Sequence, residues 1–407
     1  MDPRRFRSSP AGRILRAPSG YWAFVPNPLP PPIKWTDSLA ASLSRADRLL
    51  GELAGVGRTM ANPNLLIVPF VRKEAVLSSA IEGTQASVSD IYAYEAEQLS
   101  FLERPADVKE AHNYVRAMER GLIRLASLPV SLRLIRELHA DLMQGVRGER
   151  GTPGEFRRTQ NWIGPPGCTL EKATYVPPPP EKLKDALAAL EDYLHSARDQ
   201  PALIRLALVH YQFEAIHPFL DGNGRVGRLL VALLLCEWGM LPQPLLYLSA
   251  FFEANRDRYY DLLLGVSQGG DWHAWLVFFL AAVESQSRDA MLRIDRLQAL
   301  HREYRSRYQS AGPARMLQVI DHLFARPVLS VSQLCKLLEV QFPVASRYIK
   351  RLEQDGVIVE VTGKGRNRLF IARGIIQAIE DPVEEQSSPA HKVAERARPR
   401  KAEGTVS

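Results

Sequence analysis

The sequence predicts a mainly α-helical protein with a small β-hairpin in its middle and a unit of helices and strands near its C-terminus. Two observations support this prediction. Apolar residues recur at helical spacing through most of residues 37–354, and proline or glycine clusters interrupt them where helices typically end. Hairpin patterns, with strand-like residues around a glycine-containing turn, occur at residues 162–176 and 357–371.

The composition is that of an ordinary globular protein with two or three domains, since 46% of the 407 residues are hydrophobic and 24% are charged. The longest apolar runs, residues 229–236 and 274–283, are too short to span a bilayer. The arginine-rich N-terminus lacks the apolar segment of a secretory signal. Three widely spaced cysteines without a CxxC pair argue against disulfides and a zinc site. We therefore expect a cytoplasmic protein without a membrane partner.

Changes in composition divide the chain into five segments. Residues 1–18 are basic and are expected to be disordered, as is the polar tail of residues 376–407. Residues 19–104 begin with alternating aromatic residues and prolines and continue as a helical N-terminal extension. Residues 105–309 form a helical core that ends in a long connector helix, and residues 310–375 form the C-terminal unit. Within residues 19–309, helices are predicted at residues 37–54, 64–82, 87–101, 106–127, 131–143, 181–197, 203–216, 226–238 and 270–307.

Candidate catalytic and ligand-binding residues are concentrated in residues 217–228, His-Pro-Phe-Leu-Asp-Gly-Asn-Gly-Arg-Val-Gly-Arg. The helix before it is expected to end at His217, because Pro218 disfavours helical backbone in the preceding residue. Another helical pattern follows from Val226, so residues 221–224 are expected to form a tight loop that opens into a helix N-terminus. Free N–H groups and the positive end of the helix dipole make such a loop suited to an anion.

The side chains of this stretch fit one kind of chemistry. His217 at a helix end can act as a base at neutral pH, and Asp221 can bind a metal ion. Gly222 and Gly224 let the backbone approach a ligand closely. Two arginines three positions apart lie on one helix face and can bind phosphate oxygens: Arg225 and Arg228. The residues alone thus indicate a reaction class but no substrate.

These residues match the signature HPFxDGNGRxxR of the Fic family at every specified position, so the chain resembles Fic-type protein adenylyltransferases. The resemblance implies a helical bundle with a β-hairpin flap and the transfer of AMP from ATP to a Ser, Thr or Tyr hydroxyl of a target protein or of the enzyme itself. It implies that His217 is the catalytic base and that Asp221 binds Mg²⁺. The implied ATP-binding residues of the signature are Asp221, Gly222, Asn223, Gly224, Arg225 and Arg228, with the Asn223 side chain acting on the α-phosphate and the two arginines on the β- and γ-phosphates.

A second motif, Ser78-x-x-x-Glu82-Gly83, lies near a predicted helix end. By itself it indicates a surface glutamate before a capping glycine, although a carboxylate at a helix C-terminus attracts a cation. The motif is similar to the inhibitory motif [S/T]xxxE[G/N] of autoinhibited Fic proteins. The resemblance implies that Glu82 pairs with Arg228 and holds the enzyme in an inactive state.

Two further elements receive roles from the resemblance. The hairpin pattern from Ile163 through Gly164 to Tyr175 corresponds to the flap that positions the target side chain, although most such hairpins are only connectors. The segment after the signature makes Asn255 and Tyr259 candidates for nucleoside contacts, whereas its aromatic spacing alone predicts core packing. His210, inside an apolar helix, is predicted to be a packed core histidine.

Residues 314–373 resemble a winged helix-turn-helix domain in the order and size of their elements. Ten Lys or Arg against five Asp or Glu give this segment a net charge of +5, most of the +7 of the whole chain. The basic residues expected on its recognition helix and wing are Arg347, Lys350, Arg351, Lys364, Arg366 and Arg368. Such a surface can bind DNA, but winged helices also dock proteins, and both partners are left open.

Three alternatives to AMP transfer to a target stay open at this point. The same scaffold removes AMP in some Fic relatives and transfers other phosphate-containing groups in others. The protein could also be chiefly a DNA-binding regulator whose Fic domain senses nucleotide. The sequence does not identify the target protein, and it leaves the oligomeric state open, a homodimer included.

Overall fold

The computed structural model describes residues 1–60, 63–96, 104–146, 152–196, 200–309, 314–363 and 368–381. These ranges contain fifteen α-helices and five short β-strands, which confirms the prediction of a mainly α-helical protein. Among the described helices, none combines the length and the apolar character needed to cross a membrane.

The first residues are ordered, so the prediction of disorder for residues 1–18 is wrong. Strand β1 (Gly12–Arg16) pairs with strand β2 (Trp22–Pro26) in an antiparallel hairpin. Phe6 is 1% exposed, and its ring lies 5.6 Å from that of Phe24. Arginine-rich composition suggested a solvated segment, but burial of these few apolar side chains stabilises its folded arrangement.

Three helices form the N-terminal extension: α1 (Asp37–Thr59), α2 (Asn64–Ile81) and α3 (Val88–Glu95). Thr36 caps α1 by accepting a hydrogen bond from the Leu39 N–H. Ser87 and Asp90 form a reciprocal capping box at the start of α3. Helix α3 ends at Glu95, before the predicted end at residue 101, and residues 97–103 lie outside the described residues.

Five helices form the centre of the molecule: α4 (Pro105–Arg124), α5 (Leu132–Leu142), α6 (Pro180–His195), α7 (Ala202–Ile216) and α8 (Asn223–Glu237). Apart from Arg205, every residue of α7 from Leu203 to Ile216 is buried, which explains its apolar sequence. Helix α8 begins at Asn223 and not at Val226, so the predicted loop is shorter and its last two residues belong to the first helical turn.

Helices α9 (Ser249–Ala254), α10 (Arg256–Gly269) and α11 (Trp272–Gln309) follow. Helix α11 is one continuous helix of 38 residues that packs along α1 and against α7. Trp275 fixes this packing, because its indole N–H donates to the Ala207 carbonyl of α7 at 3.0 Å. The second half of α11 reaches the C-terminal unit, as its predicted role as a connector requires.

The C-terminal unit contains α12 (Ala314–Ala325), β3 (Val328–Ser330), α13 (Val331–Leu338), α14 (Phe342–Gln354), β4 (Val359–Glu360), β5 (Leu369–Ile371) and α15 (Arg373–Glu380). Its strands form an antiparallel sheet in the order β3-β5-β4. The elements agree with the predicted order of three helices and a hairpin, while the assignment as a DNA-binding winged helix stays a prediction. Lys364 and Arg366 of the predicted wing lie outside the described residues.

The tail was predicted to begin at residue 376, but helix α15 continues to Glu380. Ile375 and Ile379 are fully buried, and this apolar face accounts for the helix. The rest of the predicted tail, residues 382–407, lies outside the described residues.

The C-terminal unit packs directly on the N-terminal extension. Side chains from α3 and the C-terminal unit form a shared apolar cluster whose members include Val88, Tyr92, Ala93, Val328, Leu369 and Ile376. The Tyr92 hydroxyl donates to the Ala325 carbonyl at 3.3 Å, and the Val88 N–H donates to Glu380 at 3.1 Å. Helix α2 also contacts α12 and α15, so the helix that ends at Glu82 lies between the core and this unit.

Candidate active site

The loop between α7 and α8 carries the histidine of the signature. His217 caps the C-terminus of α7 with left-handed backbone angles, φ 49° and ψ 62°. The predicted helix end is therefore present, but the residue before Pro218 is left-handed and not extended. A non-glycine residue in this region costs roughly 1–2 kcal/mol. The surrounding contacts must offset that cost.

Two side chains from the segment before the flap bind the His217 carbonyl. Arg157 donates to it through Nε at 2.9 Å, and Asn161 donates to it through Nδ2 at 3.2 Å. The Arg157 backbone N–H donates to the Pro218 carbonyl at 2.9 Å. Sequence reasoning missed both residues, although they lie within the run between the glycine-rich segment and the flap.

The ring of His217 is oriented by its own helix. Its Nδ1 lies 3.2 Å from the Glu214 carbonyl, and a carbonyl can only accept, so Nδ1 carries the proton and Nε2 has the lone pair. Burial lowers the pKa of His217 to about 4; Arg157 acts in the same direction, whereas the Glu214 carbonyl, Glu82 and Asp221 oppose it. At neutral pH the imidazole is therefore a neutral proton acceptor.

The side chain of Asn223 points into the loop itself. It is 2% exposed, its Oδ1 accepts from the Phe219 N–H at 2.8 Å, and its Nδ2 donates to the Phe219 carbonyl at 2.9 Å. Both polar ends of this side chain bind the loop, and its role at the α-phosphate stays a prediction. Asn223 shapes the loop, and the backbone N–H groups at the start of α8 are left to face an anion.

Gly222 precedes α8 as its N-terminal cap, with φ +77°. A Cβ at this position would lie 2.8 Å from Met143 Sδ. Both the left-handed angle and the close neighbour require glycine.

His139 of α5 contacts the same loop, and sequence patterns did not predict this. Its ring stacks on Phe219 at 3.7 Å, and its Nδ1 accepts from the Gly154 N–H at 2.9 Å. Nε2 therefore carries the proton and donates to the Asp221 carbonyl at 3.1 Å. Burial lowers the pKa of His139 to about 4, so this contact persists at neutral pH. In the sequence His139 is only a polar residue in an amphipathic helix, and no motif marks it.

The Asp221 carboxylate is the residue predicted to bind a metal. Its side chain is 50% exposed, and its Oδ1 accepts from the Gly222 N–H at 2.6 Å. Among the described residues there is no group of three or more His, Cys, Asp or Glu side chains suited to holding a metal ion. A single exposed carboxylate fits Mg²⁺, which takes most of its ligands from phosphate and water oxygens.

Arg225 is buried in an ion pair and is not directed at an open site. It is 3% exposed, its Nη1 lies 3.2 Å from Glu110 Oε2 of α4, and its Nη2 lies 3.6 Å from Asp221 Oδ1. The predicted contact with a β- or γ-phosphate would require this pair to open. In the structure Arg225 instead links the start of α8 to α4 and to the Asp221 carboxylate.

Arg228 makes the contact that the second motif predicted. Its Nη2 lies 2.7 Å from Glu82 Oε1, and it also binds Ser78, whose hydroxyl accepts from Nε and whose carbonyl accepts from Nη2, both at 2.8 Å. Glu82 is the C-terminal cap of α2, and Gly83 follows it with φ +93°. A Cβ at Gly224 would collide with the Glu82 carboxylate, so the glycine permits this approach. The predicted pairing of Glu82 with Arg228 is therefore present.

Three carboxyl groups near Arg228 differ in their pKa and therefore in their protonation at neutral pH. Burial disfavours ionisation of Glu82, but the charge of Arg228 outweighs it, and the pKa of Glu82 lies below its usual value. Burial raises the pKa of Glu214 to about 8, and its Oε1 is buried without a hydrogen-bond partner. Burial also raises the pKa of Glu74 to about 7, where Ser249 and Tyr114 donate to it. Glu82 is therefore the group that neutralises Arg228 at neutral pH.

The predicted flap has one bridging residue pair in place of the ladder of a regular hairpin. Ile163 and Tyr175 form a single antiparallel bridge, and a short 3-10 turn, Leu170–Lys172, lies between them. Ile163 is 37% exposed, whereas Tyr175 is buried and its hydroxyl donates to the Ala215 carbonyl at 2.8 Å. Gly164 packs so closely on Cys168 that a Cβ would lie 2.6 Å from its sulfur. Tyr175 thus anchors the flap to the end of α7.

The predicted nucleoside residues occupy different environments. Tyr259 is 1% exposed, stacks on Phe252 at 4.5 Å, and donates its hydroxyl to His210 Nε2 at 2.8 Å. The prediction of a nucleoside contact for Tyr259 does not agree with this burial, and the alternative of core packing does. His210 is 2% exposed, as predicted for a core histidine. Asn255 caps the start of α10 and donates to the Phe251 carbonyl at 2.9 Å.

The next residue, Tyr260, is the exposed ring of this segment. It is 39% exposed, and burial together with the charge of Glu82 raises its pKa. Arg256 lies over its ring at 6.0 Å. Tyr260 rather than Tyr259 therefore presents an aromatic surface beside the Glu82–Arg228 pair.

Comparison with protein families finds matching models between residues 40 and 235, and comparison with curated proteins finds related sequences. Residues 40–123 match the Fic/DOC family N-terminal model, and residues 129–235 match the Fic/DOC family model. The protein adenylyltransferase Fic of Drosophila grimshawi is 31% identical over 167 residues, which are 39% of this chain and 31% of that protein. The corresponding protein of Aedes aegypti is 33% identical over 144 residues, 34% of this chain and 25% of that protein. The chain thus spans less than a third of the length of these curated relatives.

A solved structure has the same fold. The Fic family protein from Desulfovibrio desulfuricans G20 aligns with a TM-score of 0.54 at 19% sequence identity, over 84% of this chain and 98% of that protein. Residues 40–123 and 129–235 are thus similar to the two Fic/DOC models, and the signature at residues 217–228 lies within the second of these segments.

Proposed function

We propose that this protein transfers AMP from ATP to the hydroxyl of a Ser, Thr or Tyr side chain, on a target protein or on itself. The observation that carries the proposal is the pairing of a neutral His217, whose Nε2 lone pair is free to accept a proton, with a helix N-terminus suited to phosphate. Relatives named protein adenylyltransferase Fic support the same activity.

The reaction would proceed by one displacement at phosphorus. The target hydroxyl gives its proton to His217 Nε2 while its oxygen attacks the α-phosphorus of ATP. The bond from that phosphorus to the bridging oxygen breaks, and pyrophosphate leaves with the electron pair. The N–H groups at the start of α8 stabilise charge on the α-phosphate, and Arg228 binds the terminal phosphates once it is free.

Asp221 would hold Mg²⁺ together with phosphate oxygens, and the ion when bound would neutralise charge on the leaving pyrophosphate. The exposed carboxylate and its neighbour Arg225 support this assignment. Arg225 would either keep Asp221 in place or leave Glu110 to reach a phosphate.

We further propose that Glu82 keeps the enzyme inactive by occupying Arg228. The guanidinium is almost fully buried, with two of its donors on Ser78 and one on Glu82. ATP that enters this arrangement lacks a partner for its terminal phosphate and places its negative charge near the Glu82 carboxylate. Both effects favour a pose in which the α-phosphorus is not aligned with His217.

The test uses the full chain and ATP labelled on the α-phosphate. Glu82→Gly is expected to raise self-labelling on the order of ten- to a hundred-fold, since a hydrogen bond to a charged group contributes about 1.5–3 kcal/mol. Mass spectrometry then identifies the added group, because AMP, phosphate and phosphocholine differ in mass. Equal labelling of wild type and Glu82→Gly contradicts the inhibitory role, and a different added group contradicts AMP transfer.

The same scaffold also supports removal of AMP, with Glu82 acting on water in place of the target hydroxyl. Under this alternative the wild type removes AMP from a modified protein instead of adding it. A protein labelled by Glu82→Gly and then mixed with unlabelled wild type would lose its AMP only if the wild type is the removing enzyme.

A second function for the C-terminal unit rests on exposed basic residues. Arg347 and Lys350 of α14 are exposed to solvent, and Arg351 is exposed but paired with Asp355 at 2.8 Å. These residues suit a DNA backbone, whereas exposed Phe342 beside them suits a protein. Titration of the full chain with duplex DNA at two salt concentrations separates these partners, since DNA binding through phosphates weakens steeply with salt.

A further inference from the structure

We infer that Arg157 is a positioning residue that fixes both the orientation and the charge state of His217 and joins this base to the flap. The inference rests on the proposed function, in which His217 accepts a proton. Arg157 lies between the glycine-rich segment and the flap, and it is 3% exposed.

All side-chain hydrogen bonds of Arg157 within the described residues end on backbone carbonyls. Nε donates to His217 at 2.9 Å, and Nη2 donates to Pro178 at 2.6 Å and Ile216 at 3.4 Å. Nη1 reaches the Thr159 carbonyl at 3.5 Å. The guanidinium therefore binds the last carbonyls of α7, which are the groups that a helix leaves without partners.

A buried arginine is normally paired with a carboxylate. Arg157 has none among these partners, and burial lowers its pKa to about 10, so it is still charged at neutral pH. Its charge disfavours a second positive charge nearby, and it acts to lower the pKa of His217, whose carbonyl it binds. Arg157 thus keeps the imidazole neutral as well as holding its backbone.

Asn161 and Tyr175 connect the same helix end to the flap. Asn161 donates to the His217 carbonyl and, at 2.7 Å, to the Phe219 carbonyl, and it lies two residues before the bridge residue Ile163. Tyr175, on the other side of the bridge, donates to Ala215. A target held on the flap is therefore fixed relative to the base by three side chains, without any contribution from the nucleotide side of the site.

This arrangement predicts a specific pattern of defects. Removing Arg157 should misplace the base relative to the flap and slow the chemical step, while ATP binding at Asp221 and α8 is unaffected. It should also raise the pKa of His217. The other charged or titratable groups near that ring are Glu82 of α2, Glu214 of α7 and Asp221 of the loop.

The experiment uses full-length protein in the Glu82→Gly background, so that the charge of Glu82 is absent from every sample. The variants are Arg157→Met, Arg157→Lys and Asn161→Ala. Arg205→Met is the matched control: Arg205 also bonds backbone carbonyls at an end of a helix, but it lies twelve residues before His217 on α7, roughly 18 Å away. Self-labelling rate against pH, ATP affinity, and the NMR titration of the His217 ring are measured for each.

Arg157→Met is expected to lower the rate at neutral pH by on the order of ten- to a hundred-fold, with the ATP Kd unchanged. The fall in rate at acidic pH should move to higher pH, as should the NMR titration of His217. Arg157→Lys should lose rate but keep the pH dependence, because lysine keeps the charge and cannot bind the same set of carbonyls. Asn161→Ala should likewise lose rate without a pH shift, and Arg205→Met should match the background.

The inference is overturned if Arg157→Met changes only the melting temperature while rate and His217 titration match those of Arg205→Met. If Arg157→Met does not fold, Arg157→Lys and Asn161→Ala decide, and unchanged rates in both contradict the positioning role. Failure of the proposed function is distinguishable, because the Glu82→Gly background would then show no labelling at all. In that case the NMR titration still tests the effect of Arg157 on His217.

Discussion

The two segments that meet at Arg228 are stabilised in different ways. The loop from His217 to Arg228 is fixed by buried polar contacts on every side, including those of His139, Arg157 and Asn223. The end of α2 is held at the site through Arg228, which binds Ser78 and forms an ion pair with Glu82. The arginine side chain of this pair is 2% exposed, whereas the glutamate side chain is 34% exposed.

This difference indicates which partner can move. Arg228 lies in the interior of α8 and keeps its Ser78 contacts when Glu82 leaves. Glu82 caps a helix end, is followed by Gly83, and can be hydrated as it leaves. We therefore expect the catalytic loop to be already formed in the inactive protein, so that activation requires movement of Glu82 and little rearrangement of the loop. The following predictions test this comparison.

The largest effect on self-labelling is expected from a substitution in the loop from His217 to Arg228. His217→Ala in the Glu82→Gly background should reduce self-labelling by about 10²–10⁴-fold, which is the usual contribution of a general base. ATP affinity, measured by calorimetry, should be unchanged because Arg228 and Asp221 are intact. Residual labelling close to that of Glu82→Gly would show that another group accepts the proton.

A smaller effect is expected from a conservative change in the movable segment. Glu82→Gln keeps an acceptor for Arg228 but removes the charge, and it should weaken the contact by about 1–2 kcal/mol, roughly a five- to thirty-fold shift toward the active form. Its self-labelling should lie between wild type and Glu82→Gly. Ser249→Ala, which changes a neighbour of Glu74 and not the pair, is the control. Activity of Glu82→Gln equal to wild type would mean that charge is unimportant for inhibition.

The self-labelling rate should change little around pH 6.5, where a free histidine titrates. A base works in its neutral form, which persists above its pKa, and the pKa of His217 is about 4 instead of 6.5. Glu82 acts to raise this pKa, so Glu82→Gly should lower it further. Labelling by Glu82→Gly should therefore stay level as the pH falls through 6.5 and decline only below about 4. A half-maximal rate close to pH 6.5 would contradict the lowered pKa of the ring.

The smallest effect on activity is expected from Tyr259→Phe. The buried Nε2 of His210 loses its donor, which should cost about 1–3 kcal/mol in the free energy of unfolding. ATP affinity should not change, because the hydroxyl lies in the core, and Tyr260→Phe is the matched control on the exposed ring. Urea unfolding and calorimetry check the two parts. Weaker ATP binding by Tyr259→Phe without a loss of stability would restore the nucleoside role.

The sequence predicted the parts of this site that depend on local patterns. Pro218 and the apolar runs on either side defined the loop, and the short motif at Ser78 and Glu82 predicted the partner of Arg228. Most helices were also predicted, because their apolar faces recur at regular spacing and their caps are marked by serine, threonine or proline.

Contacts between distant segments could not be predicted in the same way. Nothing near Arg225 in the sequence indicates Glu110, and nothing near Asn223 indicates that its amide turns back to Phe219. His139 and Arg157 lie in stretches whose local pattern is satisfied by surface exposure. The N-terminal hairpin was missed because its stability comes from a few apolar side chains that pack on the core, while its composition is basic.

The position of α2 between the core and the C-terminal unit also bears on how fast the proposed inhibition could respond. Phe70, Val71 and Ala75 are buried, so the whole helix cannot leave without exposing apolar surface on both sides. Release of Glu82 therefore involves a side-chain rotation and the last turn of the helix, which are movements of nanoseconds to microseconds. Such exchange is far faster than a typical turnover, so under the proposed inhibition the fraction of active protein would be set by populations and would respond at once to ATP or a target that binds the open form more tightly.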